Sequence, residues 1–368
     1  MNHELSDLQR AYQENRFQDI LSHPSGIYFL KLRSLSRAAI LRRLADYAAV
    51  KIEGMNASEV LDALYTTKLD EGLVDRFIAT LYAEERAMRK GSEADLYDQL
   101  YRLDHFDWGG FYQNNVEQTL VNQYVKKITD YTSLVDRVEH EIAGKIKGYM
   151  LCSWYNHWSS ILIEDMIKDQ SGILPAIGRV KKVDFFWHDF PFDLKVTYFP
   201  DGYLQRKRGD LGLPDELSEL KNVAKELEIS FDKRAAKKEQ FKELFRKIEE
   251  HVADQSGQFI EQLFAVRRQI IKETIDSPQE LMRWFYENQG IRRFDAANRF
   301  FIVLIDWVRI EDSWKLKRNR PLLERSVGNY FRQHQTMDFS ELAIEFDWQG
   351  KQYRTYATSL FIVHNRPV

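Results

Sequence analysis

Apolar positions in the first part of the chain recur at helical spacing. Ile40, Leu41, Leu44, Tyr47 and Ala48 follow Ser36, and Val60, Leu61 and Leu64 share one face after Ser58, so a helix is predicted at each place. Ser92 with Asp95, and Ser133 with Asp136, have the form of N-terminal capping pairs, in which a hydroxyl and a carboxylate take up free backbone N–H groups. The second pair precedes Leu134, Val135, Val138, Ile142 and Ile146 on one helical face. Asp107 to Tyr112, with its paired glycines, reads as a loop. No proline occurs from Ser25 to Asp169, as a helical region over residues 1–150 requires.

The texture changes at Gly172. Val183–Trp187 and Phe192–Phe199 are short and rich in β-branched and aromatic residues. With His188-Asp189-Phe190-Pro191 as the link they are predicted to form a β-hairpin, closed by Pro200-Asp201-Gly202. Glu216 to about Glu273 is helical in pattern and heavily charged. Arg299 to Trp307 contains FFIVLI, which suits a buried strand. Leu342–Trp348 and Gln352–Tyr356 flank a Gln349-Gly350 turn, and Leu360–Val363 is a further strand candidate. The order predicts an α+β or α/β chain, with a helical accessory or DNA-binding region over 1–150 and a sheet-containing domain over 151–368.

The bulk numbers narrow the function classes. In 368 residues, 53 basic and 56 acidic side chains leave a formal charge of −3. That excludes a strongly basic nucleic-acid coat, so any such affinity rests on where the charge sits. The single cysteine, Cys152, excludes an internal disulfide and a four-cysteine zinc site, and suits a reducing cytoplasm. The polar N-terminus is unlike a signal peptide, and the longest relevant apolar run, Phe300–Ile305, is far short of a membrane helix. A cytoplasmic protein without membrane association is the expectation. No GxxxxGK[ST] loop or GxGxxG pattern occurs, so no nucleotide cofactor and no motor activity are expected.

The informative segment is Trp154–Phe199. A helix carries Glu164, one strand Asp184, and the next strand Asp193-Leu194-Lys195. Alternate strand residues share a face, so Asp193 and Lys195 point together while Leu194 points away. The hairpin can bring Asp184 beside Asp193, with Glu164 laid against them. Carboxylates brought so close repel unless something compensates. A hard divalent cation removes that cost, and magnesium characteristically uses one or two carboxylates with water and phosphate. A lysine beside such a site can favour the hydroxide form of an attacking water or offset transition-state charge. The chemistry implied is metal-assisted hydrolysis of a phosphodiester. Glu219-Leu220-Lys221 repeats the acid-x-Lys triplet in a charged helical stretch, where residues two apart do not face each other, and serves as the bland control.

Glu164, Asp184 and Asp193-Leu194-Lys195 resemble the PD-(D/E)xK nuclease superfamily over about 45 residues. Val183 stands at the place of the motif's proline, and no Gln-x-x-x-Tyr element follows the lysine strand. The resemblance implies a restriction-endonuclease-like mixed central sheet flanked by helices. Asp184 and Asp193 are then metal ligands together with the Leu194 carbonyl, Lys195 is catalytic, and Glu164 is the helix acid assisting the metal. The cofactor implied is Mg2+, with Mn2+ as a substitute. The expected protein is an endonuclease acting on double-stranded DNA, a homodimer of the type II restriction or phage-defence kind. A repair or junction-resolving nuclease of the same superfamily and a catalytically inactive DNA-binding subunit are the alternatives.

Basic residues flank the hairpin. Arg179, Lys181 and Lys182 precede it, Arg206, Lys207 and Arg208 follow it, and Lys315, Lys317, Arg318 and Arg320 lie near Trp314. Phosphate contacts on a polyanion are their functional reading and a solvated loop the bland one. His157 is either an acid–base group or a structural histidine among aromatics, and Cys152 a small buried residue.

Overall fold

The computed structural model describes residues 3–108, 115–251, 254–288, 297–336 and 338–365, with the side chains at 179, 238 and 254–256 outside the description. In chain order the elements are α1 His3–Gln13, α2 Phe17–Leu21, α3 Gly26–Ser34, α4 Ala38–Tyr47, α5 Ala57–Thr66, α6 Glu71–Leu100, α7 Val116–Leu120, α8 Tyr131–Arg137 and α9 Ala143–Lys168. Then come β1 Ile173–Val180, β2 Val183–Trp187, β3 Phe190–Tyr198, α10 Asp201–Asp210, α11 Glu216–Glu226, α12 Lys237–Glu249, α13 Asp254–Asp276 and α14 Gln279–Glu287. Last are β4 Arg299–Asp306, α15 Arg320–Gln333, β5 Ala343–Trp348 and β6 Lys351–His364. The strands run in the order β1-β2-β3-β4-β6-β5. The chain is an α+β protein.

Two compact units share the chain. The first holds 1–196, 297–300 and 311–337; the second holds 197–296, 301–310 and 338–368. Helix α9 runs through residue 150 without a break. In the first unit, the apolar faces of α1, α3, α4, α5 and α6 bury Leu8, Phe29, Leu44, Leu64 and Ile78 together with Ile177 of β1 and Phe186 of β2. Gly178 is what lets β1 approach α3, because a Cβ there would stand 2.5 Å from the Ser34 carbonyl oxygen. In the second unit, Tyr203, Ile270 and Tyr286 pack with Val303, Ile305 and Phe346.

Several expected helix starts are displaced. Helix α6 passes straight through Ser92 and Asp95, and the Ser92 hydroxyl bonds back to the Arg89 carbonyl; a Ser-x-x-Asp spacing also suits a continuous helix. The cap of α5 is Asn56, reciprocated by Glu59, and not Ser58. Asp130 caps α8 by accepting the Ser133 N–H at 2.7 Å, and a π-turn over Val138–Ile142 then leads into α9. Both true caps lie outside the apolar periodicity that marks a helix's interior, two residues before Ser58 and three before Ser133. Residues 109–112 of the expected loop lie outside the described residues.

The strands marked by β-branched and aromatic runs form, with two refinements, while β1 at Ile173–Val180 was not expected. The β2–β3 link is only His188-Asp189, since Phe190 and Pro191 already belong to β3. Leu360–Val363 continues β6, so it is not a separate strand. Arg206–Arg208, expected in a loop, lie on α10, which starts directly after Pro200. Proline's fixed φ and missing donor suit a helix entrance as readily as a turn.

Candidate functional site

Every side chain of the site belongs to the first unit. The hairpin turn sets its geometry. His188 and Asp189 both have left-handed backbones, with φ of 45° and 66°, as the tight two-residue turn between twisted strands requires. His and Asp tolerate that region better than most residues. The resulting register pairs Trp187 with Phe190, Phe186 with Pro191 and Phe185 with Phe192. One face of the hairpin is aromatic: Phe185 stacks on Phe192 at 5.9 Å between centroids, and Trp187 meets Phe331 at 4.9 Å. The opposite face carries the acids.

Asp184 and Asp193 stand one step beyond the last backbone pair. There the ladder is continued by a side chain: the Leu194 N–H donates to Asp184 Oδ2 at 2.7 Å. The Asp193 N–H turns the other way and donates to the Asn298 carbonyl at 2.9 Å. Alternating donor directions of this kind mark Asp184 and Asp193 as a pair of the non-hydrogen-bonded type, in which side chains approach most closely. The Asp184 carboxyl is pushed up to about 6, first by burial, then by the negative charges of Glu164 and Asp193; the Leu194 N–H and Lys168 act against the rise. The three acids therefore share one electrostatic neighbourhood.

Each of the other two acids has a cation. Asp193, only 8% exposed, receives Lys195 Nζ on Oδ1 at 2.8 Å and faces Arg299 Nε across 3.3 Å on Oδ2. Lys195 itself is half in solvent, with 47% of its side chain exposed. Lys168 donates to Glu164 Oε1 at 2.5 Å and to the Ala176 carbonyl at 3.2 Å. Asp165, the rival acid on the same helix, is turned elsewhere: it is held by Arg89 Nη2 at 2.7 Å and lies 3.7 Å from Arg86.

Two cations of this site escape sequence reading. Lys168 stands at i+4 from Glu164, a spacing that does signal a helical ion pair. Arg299 is brought in by strand pairing more than a hundred residues away in sequence, and no local pattern announces it. Among the described residues no three His, Cys, Asp or Glu side chains group closely enough to hold a metal ion. The carboxylates available as a pair are those of Asp184 and Asp193, with the Leu194 carbonyl and Glu164 nearby in sequence or charge.

The basic residues divide sharply. The Arg179 side chain lies outside the described residues. Lys181 is exposed at the β1–β2 turn, with its N–H donated to the Tyr12 hydroxyl at 2.7 Å, and Lys182 follows it with a φ of 65°. Arg206 and Lys207 both bind Glu280, at 2.6 and 3.0 Å. Arg208 is fully buried against Glu219 at 2.6 Å. Lys315 pairs with Asp312 at 2.9 Å. Lys317 is buried with its ammonium on Asn156 Oδ1 at 2.7 Å, and burial pushes it down to about 8. Arg318 is buried and donates to the Leu100 and Leu103 carbonyls. Arg208, Lys317 and Arg318 thus serve the interior. His157 is exposed beside Trp158, and Cys152 is buried.

No family model matches the chain, and no curated protein or solved structure matches it. Among the described residues no helix is long and apolar enough to cross a membrane.

Proposed function

We propose that the chain is a magnesium-dependent endonuclease hydrolysing phosphodiester bonds of double-stranded DNA, of the restriction or phage-defence kind. The observation that carries this reading is the hairpin register that sets Asp184 opposite Asp193, with the Leu194 N–H on Asp184 Oδ2 and Glu164 of α9 close enough to raise the Asp184 carboxyl. Nothing in the folding of a hairpin demands that two acids face each other beside a third. The order α9, then the β1-β2-β3 meander, then α10, with β4 beside β3 in the sheet, agrees with a restriction-endonuclease-like core.

The donor set suits a hard cation. It consists of oxygens only, and two carboxylates with one backbone carbonyl are within what magnesium asks of a protein, water and phosphate supplying the rest. Asp184 and Asp193 would hold the ion, with the Leu194 carbonyl beside them and Glu164 adding charge. When bound, the ion supplies polarisation of a phosphoryl oxygen and a more acidic water.

The chain's own residues supply the remainder. Lys195 is tethered to Asp193 but half exposed, so its ammonium can reach a phosphate or a water at the mouth of the site. Arg299 and Lys195 balance the Asp193 charge, and Lys195 fixes Oδ1 by its hydrogen bond. The Leu194 N–H orients Asp184 by binding one oxygen, leaving Oδ1 for a cation. Exposed Lys181 at the β1–β2 turn is the basic residue best placed to meet a polyanion. A homodimer would match a two-fold DNA site and cut both strands.

Incubating plasmid and phage DNA with the protein, with and without magnesium, tests the proposal. Discrete fragments from the wild type, lost in Asp193→Asn and Lys195→Ala, are expected. Comparable cutting by both variants, or none by the wild type across methylated and unmethylated DNA, would overturn it.

A further inference from the structure

A second site lies among the helices of the first unit. Helices α1, α3, α4 and α5 enclose a pocket of about 280 Å³, open on one side. Its floor is apolar, made by Phe29, Leu41 and Leu61, all buried. Its walls carry Gln9, Gln13, Arg33, Ser36 and Ser58. None of these five side chains has a hydrogen-bond or ion-pair partner among the described residues.

Among the described half-buried and buried cations of this unit, Arg33 stands out in having neither a hydrogen-bond nor an ion-pair partner. Lys31 has Asp75 and Asp189, and Arg86 has Glu93 and Asp169. Arg33 instead lies over the Tyr12 ring, 5.1 Å from its centroid. A guanidinium held by its face keeps its N–H edges for something else. No acidic residue lines the pocket.

We propose that this pocket binds a small phosphomonoester. The dianionic head would take the Arg33 fork, as planar bidentate recognition of phosphate favours arginine. The serine hydroxyls add donors to the head. Gln9 and Gln13, one turn apart on α1, can donate to or accept from the hydroxyls or ring edge of the organic body, which rests on Phe29, Leu41 and Leu61. The volume sits just below the usual range for ligand pockets of roughly 300–1,000 Å³. A ligand no larger than a mononucleotide or a sugar phosphate follows from that size. The site is separate from the strand acids and does not depend on their chemistry.

Calorimetric titration of the full chain in EDTA tests this with dTMP, ribose 5-phosphate, inorganic phosphate and thymidine as probes. Saturable binding of dTMP or ribose 5-phosphate at about 1 mM or below is expected. The better of the two should bind at least about tenfold tighter than inorganic phosphate, and thymidine at least about tenfold weaker than dTMP. Which ester binds better tells a nucleotide from a sugar phosphate. Arg33→Gln should weaken binding at least about tenfold. Ser58→Asp places a repelling charge at the exposed rim of a helix start that tolerates an acid, so it keeps the fold and should weaken binding about fivefold or more. The assignment is overturned if no ester binds at about 10 mM, if inorganic phosphate binds as well as the esters, or if both variants bind like the wild type.

Discussion

Lys31 Nζ lies 2.7 Å from Asp189 Oδ1, so the turn that sets the register of Asp184 and Asp193 is fastened to α3 by a fully buried ammonium. Asp75 takes the same ammonium at 2.9 Å. Lys31→Met should leave Asp75 and Asp189 without their cation and cost about 1–3 kcal/mol. Asp189→Asn keeps a residue that accepts the left-handed backbone and a hydrogen-bond acceptor, and should cost less than about 1 kcal/mol. Urea unfolding of both variants checks the ranking.

Asp184 should cost the fold stability at neutral pH. Its folded value of about 6 exceeds the unfolded one near 3.9, so the folded state binds the extra proton between the two. Its favourable contribution is present below pH about 4 and lost as pH rises through about 6. In EDTA, Asp184→Asn should be about 2 kcal/mol more stable than the wild type at pH 7, with the gain vanishing near pH 4. Asparagine can still accept the Leu194 N–H. Melting temperatures measured across that range would show a constant difference if the carboxyl were ordinary.

Lys317 should act at the alkaline end. Burial lowers it to about 8, below the unfolded value near 10.4, so its contribution to stability is present above pH about 10 and lost as pH falls through about 8. Lys317→Met should therefore stabilise the first unit at pH 7 by about 2 kcal/mol, less the lost bond to Asn156. Denaturant titrations at pH 7 and 10, paired with the wild type, should show the difference shrinking at the higher pH.

Arg299→Gln separates folding from cation binding. Asp193 would keep Lys195 alone, and loss of a buried partner should cost about 1–3 kcal/mol. Removing a competing positive charge should at the same time raise magnesium affinity a few-fold in calorimetry. Unchanged affinity would place the ion away from Asp193.

Exposed and buried basic residues should separate in DNA binding. Lys181→Ala, on the surface, should weaken binding to all sequences alike and reduce the salt slope by about 1. Arg208→Ala should instead unfold part of the second unit, because it strips the buried Glu216 and the half-buried Glu219 of a partner. Circular dichroism beside a salt-titrated binding assay distinguishes the two.

The strands other than β1 were legible because their signal is local; β1, Ile173–Val180, carries a proline and a glycine that mask it. The β-branched and aromatic content of Val183–Trp187 and the run Phe300–Ile305 report burial directly, and β2 and β4 follow them. The acid pair was legible too, since a tight hairpin converts a sequence gap into a facing position. Helix starts were harder: Ser92-x-x-Asp95 meets the capping pattern inside an unbroken helix. Charge was hardest. Arg208, Arg318 and Lys317 look like surface cations in sequence, yet each finds its carbonyl, amide or carboxylate partners through tertiary packing. Arg299 reaches Asp193 in the same way.

The His188–Asp189 turn works as a ruler. Because side chains alternate with a period of two, inserting a single residue between Trp187 and Phe190 would slide β3 by one position and set Phe192 or Leu194 opposite Asp184 in place of Asp193. Two inserted residues could bulge out and leave the pairing untouched. Any change at this turn that slips the strands by one position should accordingly abolish the acid pair, whatever residues fill the turn.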